Sequence, residues 1–478
     1  MNQRFCIAAF LLLFTAPLLR AQSSGGHNVT AQIKGLANKT AYLAHFYGAT
    51  QYTPVDTATA DAGGKLVFDG PKELPGGLYM IVVDSKPVLQ LVIGEQRFSL
   101  AADTVNVIES MQVTGSRENE LFYGYQKFLR KKYGEIGALQ KQGGSPAQLA
   151  AMQQEVDDYR KDFLVKNATT LTAKLFRAAE EPDVPEAPKL ANGRPDSNWV
   201  FNYYRNHYLD GFDFSDERLL RTPFLQNKID RYLKELTVQT VDSLIPAADQ
   251  LVSKAKANEK ILQYTIWYIT NQYEEQKKVL NTDGLFIHMA EKYWLSGVMS
   301  VNDPSTLTAM RERVDILKPL LAGKVLPNIS LQDTLGRWRA LHDVKAEYTI
   351  AFFYDPECGH CRESAPKLKK FFDVNKAKGV QIYAVAIGKT DVLWKKFIRE
   401  FKLQSLLNVY GPSAPVDYKK KYDVYSTPTV YVLDKDKKIL ARRLPVEDLD
   451  GYFHFLLQQK AAKKPAPLKE AKASLKGK

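Results

Sequence analysis

Between residues 27 and 113, apolar side chains recur at every second position: Val29, Ala31 and Ile33, then Leu66 and Phe68, then Tyr79, Ile81 and Val83, then Leu89, Leu91 and Ile93. A period of two places such side chains on one face of a strand. Gly63-Gly64, Gly70-Pro71 and Pro75-Gly76-Gly77 separate the runs as turns do, so residues 22–115 read as an all-β sandwich. From Ser116 to Leu321 the period lengthens to that of helices. Leu121, Tyr125 and Phe128 form one stripe; Ile261, Tyr264, Ile266 and Trp267 mark a more buried helix; Leu307, Met310, Val314 and Leu317 mark another. Residues 116–322 are therefore expected to be all-α, with the aromatic-dense run Trp199 to Tyr208 packing its tyrosines against a neighbouring helix. After Ala322 strands and helices alternate. Apolar runs at Tyr348–Tyr354, Gln381–Gly388, Val409–Tyr410, Thr429–Leu433 and Ile439–Arg443 are interleaved with helical patterns at Arg362–Phe372, Asp391–Phe401 and Val446–Gln459. An α/β domain over 323–460 completes a multidomain chain, in keeping with 478 residues being more than one core usually serves.

Two flanking segments differ from the rest. Arg4, the apolar stretch Ile7 to Leu19 and the small-residue site Leu19-Arg20-Ala21 form the pattern of an export signal over 1–21, too short to span a bilayer. The mature chain is thus expected to be soluble in a bacterial periplasm. Residues 461–478 are rich in Lys, Ala and Pro without an apolar period, so they read as disordered. They supply a large share of the net charge of +13. That charge reads first as a solubilising end and second as a weak contact with anionic envelope surfaces.

The chemistry gathers at one place. The strand Tyr348–Tyr354 is closed by Asp355-Pro356, and Cys358-Gly359-His360-Cys361 follows at the start of a helical pattern. Unpaired amides and the helix dipole stabilise an anion there, which favours the Cys358 thiolate. With two residues between the sulfurs, one helical turn returns Cys361 to attack any mixed disulfide formed at Cys358. Cys6 lies in the export signal, so Cys358 and Cys361 are the only cysteines of the mature chain and must be explained as a pair. Zinc is the competing use of such a pair, but a closed site needs four ligands, and nothing in the spacing of His288 or His342 recommends them. No metal and no cofactor are expected. Aromatic residues around Arg205 have the form of a face for nucleic acid or sugar, but a helix packing its tyrosines is the commoner use of such a run, and no nucleic-acid partner is expected of an exported protein.

Several further residues make this region resemble the thioredoxin fold of the exported TlpA/ResA-type thiol-disulfide oxidoreductases. Pro366 stands eight residues after Cys358, where these proteins carry a helix proline. Ser426-Thr427-Pro428-Thr429 precedes a strand in the manner of their cis-proline loop, and Pro327-Asn328 with Asp333 to Gly336 resembles their N-terminal hairpin. The resemblance covers about Val325 to Lys460. It is looser before that point, where the β-rich and helical parts are similar to domains of unknown function that accompany such modules. It implies that Cys358 attacks a disulfide, that Cys361 resolves it, that Pro428 stands against the sulfurs and that the Thr427 backbone pairs with an extended client. His360 between the cysteines is expected to favour the reduced form. Two departures stand out. Glu357 replaces the tryptophan that usually precedes the first cysteine and sets a negative charge near it. Phe352 occupies the place of the buried acid, leaving Glu363, Lys389 and Asp391 as candidate proton acceptors for Cys361.

The resulting expectation is a periplasmic enzyme that exchanges disulfides with thiol- or disulfide-bearing exported proteins and takes electrons from a membrane donor. A peroxidase of the related AhpC/TSA group is an alternative, opposed by Asp355 where that group has Thr. A binding or assembly protein with an auxiliary redox module is another.

Overall fold

A computed structural model describes residues 25–274, 281–388 and 390–462. The expected export signal, Lys389 and the Lys-rich tail beyond Ala462 lie outside the described residues. The chain divides into two compact units between Lys228 and Ile229, a division that falls inside the helical region.

In the first unit the strands are β1 (His27–Lys34), β2 (Thr40–Tyr47), β3 (Gln51–Thr59), β4 (Lys65–Gly70), β5 (Gly77–Val83), β6 (Lys86–Ile93), β7 (Arg97–Asp103) and β8 (Gln112–Thr114). They form two four-stranded sheets, ordered β4-β1-β7-β8 and β3-β2-β5-β6. The alternation read from β1 holds: Val29, Ala31 and Ile33 are buried while their neighbours are partly or fully exposed. β5 differs, being buried along its whole length, because Met80 and Val82 pack with Ala44, Phe46 and Tyr52 on the face expected to meet water.

A single turn, α1 (Val107–Ser110), leads to α2 (Arg117–Lys141), α3 (Pro146–Lys166), α4 (Leu171–Ala179) and α5 (Ser197–His207). Ser116 caps α2 by accepting from the Asn119 amide, and Asn119 bonds both the N–H and the C=O of Val92 in β6, fixing the helix to the sheet. Leu121 and Tyr125 meet Phe163, Leu164 and Ala173 in a small helical core. The aromatic run meets the expectation only at its end. No residue of α5 is buried; Trp199 stacks on Tyr203 at 5.2 Å and the Tyr203 and His207 rings meet at a tilt, 4.3 Å apart. Spacings of four residues make such rings neighbours on one helix face without a partner helix. Tyr208, just past the helix, is buried, with Lys228 Nζ of the next helix 4.4 Å from its ring centre.

Helix α6 (Phe224–Lys234) crosses the division, and α7 (Val241–Ala255), α8 (Glu259–Glu274), α9 (Asp283–Met289) and α10 (Pro304–Leu317) belong to the second unit. There follow β9 (Ser330–Asp333), β10 (Trp338–Ala340), β11 (Tyr348–Tyr354), α11 (Gly359–Asn375), β12 (Val380–Ala386), α12 (Asp391–Glu400), β13 (Leu407–Tyr410), α13 (Tyr418–Tyr422), β14 (Thr429–Asp434), β15 (Ile439–Arg442) and α14 (Leu449–Ala462). The strands form one sheet in the order β10-β9-β13-β12-β11-β14-β15. β11 lies inside the sheet and is buried on both faces, parallel to β12 and antiparallel to β14. Ile350, Phe352 and Tyr354 point into one core with α11, α12 and α14, whereas Ala351 and Phe353 point into the other with Tyr383, Tyr422 and Tyr431. Continuous burial explains why this strand reads as an unbroken apolar run.

Charge is also buried here. Arg442, 2% exposed, donates to Asp423 at 2.7 Å and to Asp283 at 2.6 Å, joining the edge of the sheet to α9. Burial pushes the Asp423 carboxyl up, but Arg313, Arg443 and Arg442 outweigh it and hold it below the usual carboxylate range. Arg442 pairs Asp283 as well as Asp423, so its loss takes the guanidinium partner from Asp283 inside the protein. Arg442→Met is expected to destabilise the second unit by about 3–5 kcal/mol, read from urea unfolding of the full chain; an unchanged midpoint would contradict the buried pairing.

Candidate active site around Cys358 and Cys361

Antiparallel pairing of β11 with β14 sets Phe353 opposite Thr429, so the turn that leaves β11 and the loop that enters β14 emerge at the same end of the sheet. The turn is closed locally: the Cys358 amide donates to the Asp355 carbonyl at 3.1 Å and the Glu357 amide to Asp355 Oδ1 at 2.9 Å. Cys358 is the N-cap of α11, and its own carbonyl accepts from the Arg362 amide. The two cysteines are present as free thiols, Cys358 half-buried and Cys361 fully buried. Across the gap, the Cys358 thiol donates to the Thr427 carbonyl at 3.3 Å, and the Thr427–Pro428 peptide bond is cis.

The two sulfurs differ chemically. Burial raises the Cys358 thiol, but hydrogen bonding with Thr427, with the backbone and thiol of Cys361 and with the His360 backbone outweighs it and holds the thiol below its ordinary value. Burial dominates at Cys361 and pushes it up to about 12. The pair is therefore divided into an accessible sulfur that ionises readily and a buried one that keeps its proton.

The other residues singled out in the sequence fall at different distances from this pair. Glu357 and His360 lie on the same turn, both exposed, with His360 Nδ1 3.6 Å from Glu363 Oε2. Exposure screens the Glu357 carboxylate, which weakens its opposition to a nearby thiolate. Pro366 sits inside α11, about 12 Å along the axis from Cys358 at 1.5 Å per residue, so it shapes the helix and does not meet the sulfurs. The candidate proton acceptors Glu363 and Asp391 are exposed, the latter 3.0 Å from Lys395.

Two residues near the site had no signal in the sequence reading. The Tyr354 hydroxyl is buried and makes no hydrogen bond of good geometry among the described residues; burial raises its pKa, the nearby Trp394 indole N–H opposes the rise, and negative charge on Cys361 would add to it. Its place at the end of an otherwise apolar strand was the available clue. Gly388 supports the turn from behind, since a Cβ there would stand 2.7 Å from Pro356 Cδ and 3.1 Å from Asp355 Oδ1.

A sheet with an N-capping cysteine after a buried interior strand and a cis-proline loop facing it defines the thioredoxin-like class. Residues 322–442 match the model of the AhpC/TSA family. Residues 27–122 and 150–316 match two domains of unknown function, DUF4369 and DUF5106. Among curated proteins, the thiol-disulfide oxidoreductase ResA of Bacillus thuringiensis is 28% identical over 167 residues, covering 33% of this chain and 88% of its own length. ResA of Bacillus subtilis is 27% identical over 124 residues, covering 25% and 64%. Among solved structures, a domain of a possible thiol-disulfide isomerase from Cytophaga hutchinsonii is 45% identical, covering 30% of this chain and 99% of that one with a TM-score of 0.29. A thioredoxin-like protein from Bacteroides caccae is 17% identical, covering 57% and 98% with a TM-score of 0.46.

The asymmetry of the thiols gives a direct expectation. Because a lowered pKa enlarges the thiolate fraction at neutral pH, alkylation of Cys358 by iodoacetamide should reach half its maximal rate below the pH at which a free cysteine does, while Cys361 stays unmodified up to pH 9. Mass spectrometry of the labelled peptide would read both; equal labelling of the two cysteines would contradict the division. Gly388→Ala should force Pro356 and the turn to shift, costing about 1–3 kcal/mol by overpacking and altering the labelling rate of Cys358 in the same sample.

Proposed function

We propose that the chain is a thiol-disulfide oxidoreductase whose Cys358 thiolate attacks a protein disulfide. One sulfur of the client bonds to Cys358 as the client's own S–S bond breaks, and the second client sulfur leaves as a thiolate that takes up a proton. Cys361 then gives up its proton and attacks Cys358, closing the Cys358–Cys361 disulfide and releasing the client as a dithiol. Two electrons pass from enzyme to client. The observation that carries this reading is the placement of a half-buried, readily ionised Cys358 against the Thr427 carbonyl with a buried, protonated Cys361 one turn behind it.

Thr427 supplies the backbone edge on which an extended client chain would lie, and Pro428 the wall beside the sulfurs. His360 adds a donor at the mouth and favours the reduced form. Glu357 takes the place of an aromatic rim. The clients are exported proteins, the site of action is the periplasm, and a membrane reductant returns the electrons; the leader-like residues 1–21 support the location. Among the described residues no helix is long and apolar enough to cross a membrane. The β-rich part over 22–115 is read as a scaffold or a partner-docking surface, and no chemistry is assigned to the helical part over 116–322.

The match of residues 322–442 to the AhpC/TSA family model keeps a peroxidase as the second reading, with Asp355 against it. Reduction of insulin disulfides by the full chain, with a loss of roughly a hundredfold or more in Cys358→Ser, is the expected outcome. Peroxide consumption without insulin reduction would favour the peroxidase, and activity that survives Cys358→Ser would remove the proposed nucleophile.

A further inference from the structure

The loop that carries Thr427 and Pro428 begins at Asp423, the C-cap of α13. Its φ of +52° lies in the left-handed region that residues with a side chain seldom occupy. Its carboxylate is completely buried and is held by guanidiniums from three residues, Arg313, Arg442 and Arg443. Two of these come from the sheet edge. Arg313 does not: it belongs to α10, in the helical region that precedes the thioredoxin-like domain. Arg313 faces Asp423 with both terminal nitrogens, Nη2 lying 3.5 Å from Oδ2, and its Nε is 3.3 Å from Glu274 Oε1.

The same guanidinium stands 5.7 Å from the centre of the Tyr425 ring, and Lys419 Nζ stands 5.9 Å from it. Tyr425 is 57% exposed and lies two residues before Thr427. Arginine on an aromatic face orients the ring as well as attracting it. Arg313 thus touches both ends of the Asp423–Tyr425 stretch, and the backbone continues from there into the edge that faces Cys358. The cluster is balanced, with Asp423, Asp283 and Glu274 against Arg313, Arg442 and Arg443. Loss of Arg313 alone leaves Asp423 paired with two guanidiniums, so the protein is not left with a naked buried charge.

We propose that Arg313 is a positioning residue for client binding: by holding Asp423 and Tyr425 it fixes the path of residues 423–427, so that one helix of the middle region is built into the client face of the redox site. The proposal rests on the thiol-disulfide reading above. A protein disulfide meets the sulfur and the loop together, whereas a small disulfide meets the sulfur alone. Disorder in the loop should therefore penalise the first substrate and spare the second.

The test compares full-length wild type, Arg313→Met and Arg313→Lys on insulin and on a small aromatic disulfide, dithiobisnitrobenzoate, with thermal midpoints recorded. Arg313→Met is expected to raise KM for insulin roughly tenfold or more while rates on the small disulfide stay within about twofold. Arg313→Lys should recover part of the loss, since it restores the charge without the planar fork. An unchanged KM for insulin, or an equal loss on both substrates, would overturn the proposal by making Arg313 inert or merely structural. Wild type that reduces neither substrate would overturn the thiol-disulfide reading and this one with it, whereas active wild type beside an undisturbed Arg313→Met overturns this one alone.

Discussion

Everything at the site follows from the register between β11 and β14. These strands run antiparallel with Phe353 beside Thr429, so the end of one and the beginning of the other share an edge of the sheet. The chain can then present a turn and a loop to each other without a long connection. A slip by one residue would turn the apolar side chains of β11 to the wrong faces. It would also move the Cys358 turn relative to the Thr427 carbonyl. Burial of β11 on both faces makes such a slip costly, since Phe352 and Tyr354 fill one core and Phe353 the other. The chemistry is thus fixed by packing along β11, in a core that Cys361 itself joins.

On that frame, one helix start divides two identical side chains into different reagents. Cys358 caps α11, where backbone amides favour its anion, while Cys361 lies a turn further along and is enclosed. The distinction needs no charged neighbour. Glu357 and His360, the nearest titratable groups in sequence, are turned to solvent, where their fields are weakened. The Tyr354 hydroxyl is the buried polar group that shares an electrostatic environment with Cys361, in a core where Phe352 supplies no acid.

Much of this was legible in the residues. The unbroken apolar run of β11, the Cys358-Gly-His-Cys361 turn and the Thr427-Pro428 loop are local patterns, and local patterns survive in sequence. So did the alternation of β1 and the helical period after Ser116. What was not legible depends on contacts between distant segments. Nothing in the spacing of Arg313, Asp283, Asp423 and Arg442 announces that they meet, because an ion cluster has no period. The burial of β5 on both faces depends on rings supplied by β2 and β3. The rings of α5 look in sequence like a buried helix face, yet they meet one another along the helix. Gly388 read as the end of a strand, and its need for a bare Cα appears only when Pro356 is set against it.

Trapping tests the central claim, that Cys358 is the attacking sulfur and Cys361 the resolving one, more directly than any other measurement. A full-length Cys361→Ser protein mixed with a disulfide-bearing client should accumulate a mixed disulfide through Cys358, seen as a thiol-sensitive adduct whose cross-linked peptide is identified by mass spectrometry. Wild type should show little of it, because Cys361 releases the client. Absence of the adduct, or an equal yield from Cys358→Ser with Cys361 intact, would contradict the account.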